Sequence, residues 1–457
     1  MKNKLIGAAV VAALLSVAHV PAARAQSSTE LAQLKAQLQA LQAKVEEMEK
    51  AQKAQAETQK AQTDATDKTL DMIAQQRANV GDWVGRFTWK GDFRYRNEDI
   101  KQELNPRERN RDRMRVRAGF VAKASDTVTA EIQLSTGESL TNGGYGDARS
   151  PNQTLTDASS RKRVWFDTAF ATWAPNANWK VTFGKMRYPF VRPTGSLFFD
   201  NDINPEGGAI NWQQGATGLF AAAWYVNLAE RAAAADSTMS GGQIGWKGDI
   251  ASGARLTVAA SYYDHGAVQG YNAVQDATLP GNAFGNTTTV SAAICRASAI
   301  AAGTACIADD FNVYEAMAEL SMTVGGQPLV FSADYAKNSK ADFAASATSP
   351  SGLDKAYMAG VQYGRVTGAH SWEVGYVYQK VENDALYGQW VDSDFGGGST
   401  GSKGHVFKVG YGFGKNFRIN GTYFLNDTNI DIPTTVSGVT LTGRAYRRLQ
   451  LDLNVGF

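Results

Sequence analysis

A chain of 457 residues, 43% of them hydrophobic, is long enough for a large core. Its mean hydropathy is −0.32, and no apolar run of about 18 residues occurs beyond the N-terminus, which excludes helical membrane spans. With 46 basic and 44 acidic residues the net charge is only +2, so bulk charge gives no reason to expect a nucleic-acid partner.

Residues 1–25 read as a secretory signal. Lys2 and Lys4 give the positive start, Leu5 to Val20 is largely apolar, and Ala23-Arg24-Ala25 supplies a small-x-small cleavage pattern before Gln26. Residues 26–78 then read as an α-helical coiled coil. Ser27 with Glu30 makes a capping box, and Leu31, Leu34, Leu38, Leu41, Val45 and Met48 form a heptad seam. In the same register Gln52, Gln55, Gln59 and Gln62 make the seam polar, so a single solvated helix is the other reading. The segment is expected to end near Asn79-Val80-Gly81.

From Phe87 the period becomes two. Phe87, Trp89, Gly91, Phe93 and Tyr95 alternate with Thr88, Lys90, Asp92, Arg94 and Arg96. Next, Arg107, Arg109, Arg111, Arg113, Arg115 and Arg117 recur at every second position. A helix would scatter these cations around its circumference, whereas a strand aligns them on one side. The interleaved residues turn apolar along the run, from Glu108, Asn110 and Asp112 to Met114, Val116, Ala118 and Phe120. A soluble sheet could bury that face and leave the ladder to water, so this strand alone decides nothing.

Further strands are read at about 128–135, 163–174, 178–187, 206–214, 216–226, 241–250, 254–263, 312–324, 328–338, 354–365, 370–381, 404–413, 416–426 and 444–457. Short turns alternate with long polar segments at 137–162, 187–205, 227–240, 264–311, 339–353, 382–403 and 427–443. Structureless connections beyond about 15 residues are rare in compact soluble domains. Here long connections occupy every second junction, which is the layout of an outer-membrane barrel. The count is 16 strands, an even number that leaves both ends of the chain in the periplasm. Trp173 and Trp179 flank the turn at Pro175 as an interfacial girdle requires. In the last strand Leu449, Leu451, Leu453, Val455 and Phe457 alternate with Gln450, Asp452 and Asn454. The expected fold is thus an all-β, 16-stranded antiparallel transmembrane β-barrel over 79–457, preceded by the coiled coil.

At this point the chain resembles the outer-membrane porins of Gram-negative bacteria. It is most similar to the porin group with an N-terminal periplasmic coiled coil, and more distantly to the phosphate-selective porins O and P. The resemblance rests on W-K-G-D-F-R-Y-R (89–96), R-D-R-M-R-V-R (111–117), G-K-M-R-Y-P-F (184–190), F-F-D-N-D-I-N-P-E-G-G (198–208) and the terminal Phe457, and covers 79–457. Nothing in these motifs fixes phosphate as the solute. The resemblance implies an outer-membrane location with the coiled coil in the periplasm and, together with the heptad seam, a homotrimer. It also implies that Phe457 is the signal read by the barrel assembly machinery.

The mature chain offers no catalytic frame. His265 begins an external loop, while His370 and His405 are placed at the periplasmic ends of adjacent strands, and none lies in a hydrolase or metalloprotease motif. Asp309/Asp310 and Asp392/Asp394 are expected as solvated loop charge, with weak Ca²⁺ binding as the other reading and no further metal or cofactor site. Cys295 and Cys306, the only cysteines, read as one disulfide in the longest loop of an exported protein. The expected chemistry is permeation. Lys90, Arg94, Arg96, Arg111, Arg113, Arg115, Arg117, Lys123, Arg444 and Arg448 should form a cationic wall. Glu315, Glu319 and Asp334 are expected to face it, with Asp200 and Asp202 supplied by a loop, 187–205, folded into the lumen and Glu206 just beyond it. Cations opposite acids would set up a transverse field across the constriction; the other reading is that the arginines pair with inward acids such as Asp92 and only rigidify the wall. Passive diffusion of small hydrophilic solutes and ions, with anions preferred, is the expected function. A barrel whose coiled coil tethers the outer membrane to the peptidoglycan wall is the alternative.

Overall fold

The computed structural model describes residues 28–457 apart from 106, 140–144, 157, 273–282, 298–304, 344–351 and 437; the expected signal segment 1–25 lies outside the described residues. The chain divides into two compact units between Val84 and Gly85.

Among the described residues the first unit is one helix, α1 (Ser28–Gly85). Its composition of Ala, Gln, Lys and Glu favours helix at nearly every position. The expected stop at Asn79-Val80-Gly81 does not occur: a single interior glycine costs only about 1 kcal/mol relative to alanine, and the helix continues to Gly85. Of the heptad positions, the side chains of Leu31 and Leu34 lie outside the described ones. Leu38, Leu41, Val45 and Met48 are 49–66% exposed, so in a single chain the seam is uncovered.

The second unit is the barrel. Its strands are β1 (Phe87–Gln102), β2 (Arg109–Lys123), β3 (Val128–Thr136), β4 (Val164–Trp173), β5 (Trp179–Lys185), β6 (Glu206–Gln213), β7 (Gly218–Ala229) and β8 (Ser237–Ala251). They continue with β9 (Ala254–Gly266), β10 (Phe311–Val324), β11 (Gln327–Asn338), β12 (Lys355–Gly364), β13 (Trp372–Val381), β14 (Ser402–Gly414), β15 (Phe417–Thr428) and β16 (Arg444–Gly456). Each strand pairs antiparallel with the next, and β16 pairs with β1 from Asp92↔Gly456 to Gln102↔Tyr446, closing the sheet. Closure removes both edges. At the seam the backbones of Gly91 and Phe457 exchange hydrogen bonds of 2.9 and 3.0 Å. Any Cβ at position 91 would run into the Phe457 ring, so this glycine is required by packing.

Parity gives the outer face. Trp89, Phe120, Ile132, Leu134, Phe183, Ile244, Phe331, Val374, Val409 and Leu451 point outward with no inner packing, and Trp89, Trp173, Trp179, Trp372 and Phe417 lie toward the short-turn ends. The outward positions of β1 turn polar at Asn97, Asp99 and Lys101. A 16-residue strand is roughly 54 Å long at about 3.4 Å per residue, and at a tilt of about 35–45° it rises roughly 38–44 Å, well beyond an apolar band of about 25 Å. Its polar loop-side end therefore stands clear of the band. His370 lies in the turn before β13 with φ 61°, as expected. His405 does not share that end: β14 enters from the long loop, so His405 is near its loop end, with Nδ1 2.8 Å from the Tyr376 hydroxyl.

The interior differs from a wholly water-filled lumen. On β7 to β14 the inward positions are apolar too: Trp224, Val226, Met239, Tyr263, Phe311, Val313, Met358, Val377 and Val406 are each at most 4% exposed. Segments 186–205 and 382–401 fold inward onto them, bringing Phe190, Leu197, Phe198, Phe199, Leu386, Tyr387, Trp390 and Phe395 into one apolar cluster. The Phe190 ring lies 4.9 Å from Trp224 and 5.2 Å from Tyr263. Burying one such side chain contributes about 1.5–3 kcal/mol, so the inner loops are fixed by a core inside the barrel. The disulfide Cys295–Cys306 is formed, beside a two-residue ladder of Thr288–Thr289 with Cys306–Ile307.

Candidate functional site

Opposite the apolar side, β16 and β1 to β4 carry charge inward. The alternation that turns Met114, Val116 and Phe120 outward turns Arg111, Arg113, Arg115 and Arg117 inward. The β1–β2 register sets Arg94 directly opposite Arg115 and Arg96 opposite Arg113. Like charges so placed repel, and the structure interleaves acids between them. Arg96 donates Nε and Nη2 to Asp452 at 2.6 and 2.7 Å and Nη1 to Asp394 at 3.2 Å. Arg448 reaches Glu98 at 2.5 Å and Asp394 at 2.7 Å, and Arg111 reaches the other Glu98 oxygen at 2.6 Å. Arg115 pairs with Asp92 at 2.7 Å, and Arg117 with Asp202 at 2.8 Å and Asp167 at 3.0 Å. Arg94 and Arg113 share Asn152, donating to its side-chain and backbone oxygens at 2.6 and 2.9 Å. Lys90 pairs with Glu131 at 2.6 Å.

Two of the expected cations lie apart from this network. Lys123 sits at the turn end of β2 with Asp126, 3.1 Å away, and Arg444 sits at the loop end of β16. The acids are also not an open rim facing the arginines. Glu206 is on the outer face, because the parity that turns Ala209 and Asn211 inward turns Glu206 and Ile210 outward; it pairs there with Lys185 at 2.9 Å. Asp200, within the inner loop, and Glu315 and Asp334, on the wall beneath it, are 3–5% exposed. Asp334 accepts from Ser196 at 2.8 Å, Glu315 from Tyr263 at 2.7 Å and Glu319 from the Thr194 amide at 2.7 Å. Asp334 and Glu319 thus hold segment 186–205 against the wall, Glu315 bonds within the wall itself, and Asp202 of the segment binds the ladder directly. The transverse field expected across open water is therefore replaced by contact ion pairs.

Charge within the inner loops follows the same logic. Burial works against ionisation of Asp394, but Arg448 and Arg96 hold its carboxyl well below the usual carboxylate range. Burial and then the Asp394 charge push Asp392 up to about 6. Burial, with Asp392 and Asp202 nearby, raises Asp200 well above the ordinary value.

Several cavities border the charged side among the described residues, and three of them bear on passage. At the loop end, about 400 Å³ is lined by Arg107, Arg109, Arg111, Arg444 and Arg448 and, among the described residues, by no carboxylate. Deeper, about 240 Å³ lies among Arg117, Asp167, Arg187, Arg192, Asn201 and Asn204. Beneath segment 186–191, about 340 Å³ opens toward the short-turn end. Arg187 and Arg192 were not anticipated. Arg187 pairs with Glu131 at 2.6 Å, and Arg192 lies over the Tyr188 ring at 4.7 Å. Both stand in a loop, where no periodicity signals them. Glu98 was legible, two residues beyond Arg96 on the same face.

A family model described as "Putative porin" matches residues 102–457. No curated protein sequence matches the chain. Among solved structures, Pseudomonas putida OprB is similar at 10% identity and TM-score 0.51, covering 84% of this chain and 96% of that one. Salmonella typhi OmpF, solved with daunomycin, is similar at 13% identity and TM-score 0.43, covering 81% of this chain and 97% of that one. At these identities the structural likeness concerns the barrel alone. The closed 16-stranded barrel and the family match over most of its length place the chain in the porin family of Gram-negative outer membranes.

Proposed function

We propose that this porin passes small hydrophilic solutes by passive diffusion and prefers anions. The observation that carries the preference is a division within the arginine ladder. Arg111, Arg113, Arg115 and Arg117 are engaged by acids or Asn152, whereas Arg107, Arg109 and Arg444 line the cavity at the mouth, which no carboxylate of the described residues lines. Arginine stays charged at any physiological pH, and its field reaches about 8–10 Å into the surrounding electrolyte. An entrance lined by these cations enriches anions before they meet the neutralised wall. The test is the reversal potential of the reconstituted protein in a KCl gradient. The expected sign is anion-selective, and R107S/R109S/R444S should reduce it; a cation-selective wild type would overturn the preference.

The reading extends to assembly. The uncovered seam of Leu38, Leu41, Val45 and Met48 supports association of helices from several chains, with three barrels as the unit, and residues 1–25 direct export. Leucine at both core positions does not set the number of strands. A monomeric native mass for the full-length protein in detergent would refute the trimer.

A further inference from the structure

The cavity beneath the inner loop differs in chemistry from the arginine wall. Its floor is apolar, made by Phe170 on β4 and Phe220 and Ala222 on β7, with Val191 in the roof. Its cations are lysines: Lys180 on β5 and Lys247 on β8, with the Lys247 Nζ 6.0 Å above the Phe220 ring. Among the described residues no carboxylate lines it, and Arg187, which also lines it, is already held by Glu131. The roof is fixed rather than draped. Asn211 donates to the Pro189 carbonyl at 2.6 Å, and Gln243 both accepts from the Val191 amide at 2.8 Å and donates to its carbonyl at 2.9 Å. A hollow of about 340 Å³ with an apolar floor and a few placed polar groups has the form of a small-molecule site.

We infer that this cavity is a subsite for small organic anions with an apolar body, aromatic monocarboxylates in particular. The assignment rests on the passive-channel reading and specifies a solute class for it. Two ammonium groups answer one carboxylate, while Phe170 and Phe220 offer faces for a ring. A carboxylate lacking the ring would leave the floor against water. A ring bearing an amine would meet two cations with no acid to offset them. The site lies on the short-turn side of segment 186–205, so a solute reaches it from the periplasm directly, or from outside after passing the arginine wall.

The test uses the full-length protein in planar bilayers, with benzoate, acetate and benzylamine as probes in KCl. Benzoate added on the periplasmic side should reduce the current in a saturable manner, with acetate and benzylamine weaker by about tenfold or more. K180Q/K247Q should remove most of the benzoate effect and F220A should lessen it, both variants keeping the heat-modifiable barrel form. Calorimetric titration of detergent-solubilised protein with benzoate reads the same site without conduction. Equal effects of benzoate and acetate, or unchanged benzoate affinity in K180Q/K247Q, would overturn the subsite. A wild type that binds benzoate but carries no current would instead overturn the channel reading, so the two failures are distinguishable.

Discussion

Arg96 on the first strand and Asp452 on the last face each other in register across the seam that closes the barrel, and the guanidinium meets the carboxylate through two hydrogen bonds of 2.6 and 2.7 Å. The two residues are 6% and 7% exposed. A planar fork on a carboxylate is geometrically selective as well as strong. Strand order at closure is thus checked by side chains in addition to backbone pairing. Glu98, fully buried, extends the check by accepting from Arg448 on β16 and Arg111 on β2.

Asp452→Asn should therefore destabilise the barrel by leaving Arg96 a buried cation with only Asp394 and Glu98 nearby. Breaking one partner of a buried pair costs about 3–5 kcal/mol. The urea midpoint for loss of the heat-modifiable form should fall clearly. Arg96→Lys, which keeps the charge and loses the fork, should fall less. An Asp452→Asn midpoint equal to wild type would remove the seam from the account.

The contact pairs also set what the ladder does to ions. Replacing Arg113, Arg115 and Arg117 by serine leaves Asp92, Asp167 and Asp202 without their cations. The reversal potential in a KCl gradient should then move toward cations. Asp202→Asn should move it the other way, because Arg117 loses one of its two acids. If neither substitution moves the potential, the pairs are structural and the conduction path lies elsewhere.

Much of this was legible in the chain and some was not, for reasons visible in particular residues. Period two fixed the strands and the inward face of Arg113, Arg115 and Arg117, because a strand has only two faces. Asp452 and Glu98 could be placed by counting along those faces. Glu206 was misplaced because a residue just past a loop has no parity until the strand start is known. The apolar interior was announced by β7, G-L-F-A-A-A-W-Y-V-N, which is hydrophobic on both faces. Such a strand must be covered on its inner side as well as by lipid. What covers it, segments 186–205 and 382–401, is irregular, and its contacts with Asp334, Glu319 and Gln379 depend on distances no local pattern encodes.

The disulfide gives a direct chemical check. Cys295 and Cys306 are joined and only 6% and 0% exposed. Unreduced, denatured protein should take up no alkylating label, and reduced protein should take up two. A loop of 11 residues is worth roughly 2–3 kcal/mol by chain entropy. Its loss in a double serine variant should loosen this loop while leaving the barrel transition in place. Labelling of both thiols without reductant would refute the bond.

A last prediction concerns pH and the loops. Asp384, 3% exposed, accepts from the Thr287 amide at 2.8 Å and from its hydroxyl at 2.5 Å, joining the segment before Cys295 to segment 382–401. Burial pushes its carboxyl up to about 7, and the charges of Asp309 and Asp431 add to the rise, although the Thr287 bonds favour ionisation. Released from the clamp it returns toward the ordinary value of 3.8. The closed clamp thus binds the proton more tightly than the open one, so its stability is greatest below about pH 4 and declines as pH rises to about 7. Amide exchange over 283–289, corrected for intrinsic base catalysis, should lose protection between pH 5 and 7 and level off above. Asp384→Asn copies the protonated acid, with a carbonyl for the Thr287 amide and an NH₂ for its hydroxyl. It should keep the protection and abolish its pH dependence. Protection that falls equally with pH in the variant would assign the effect to another group.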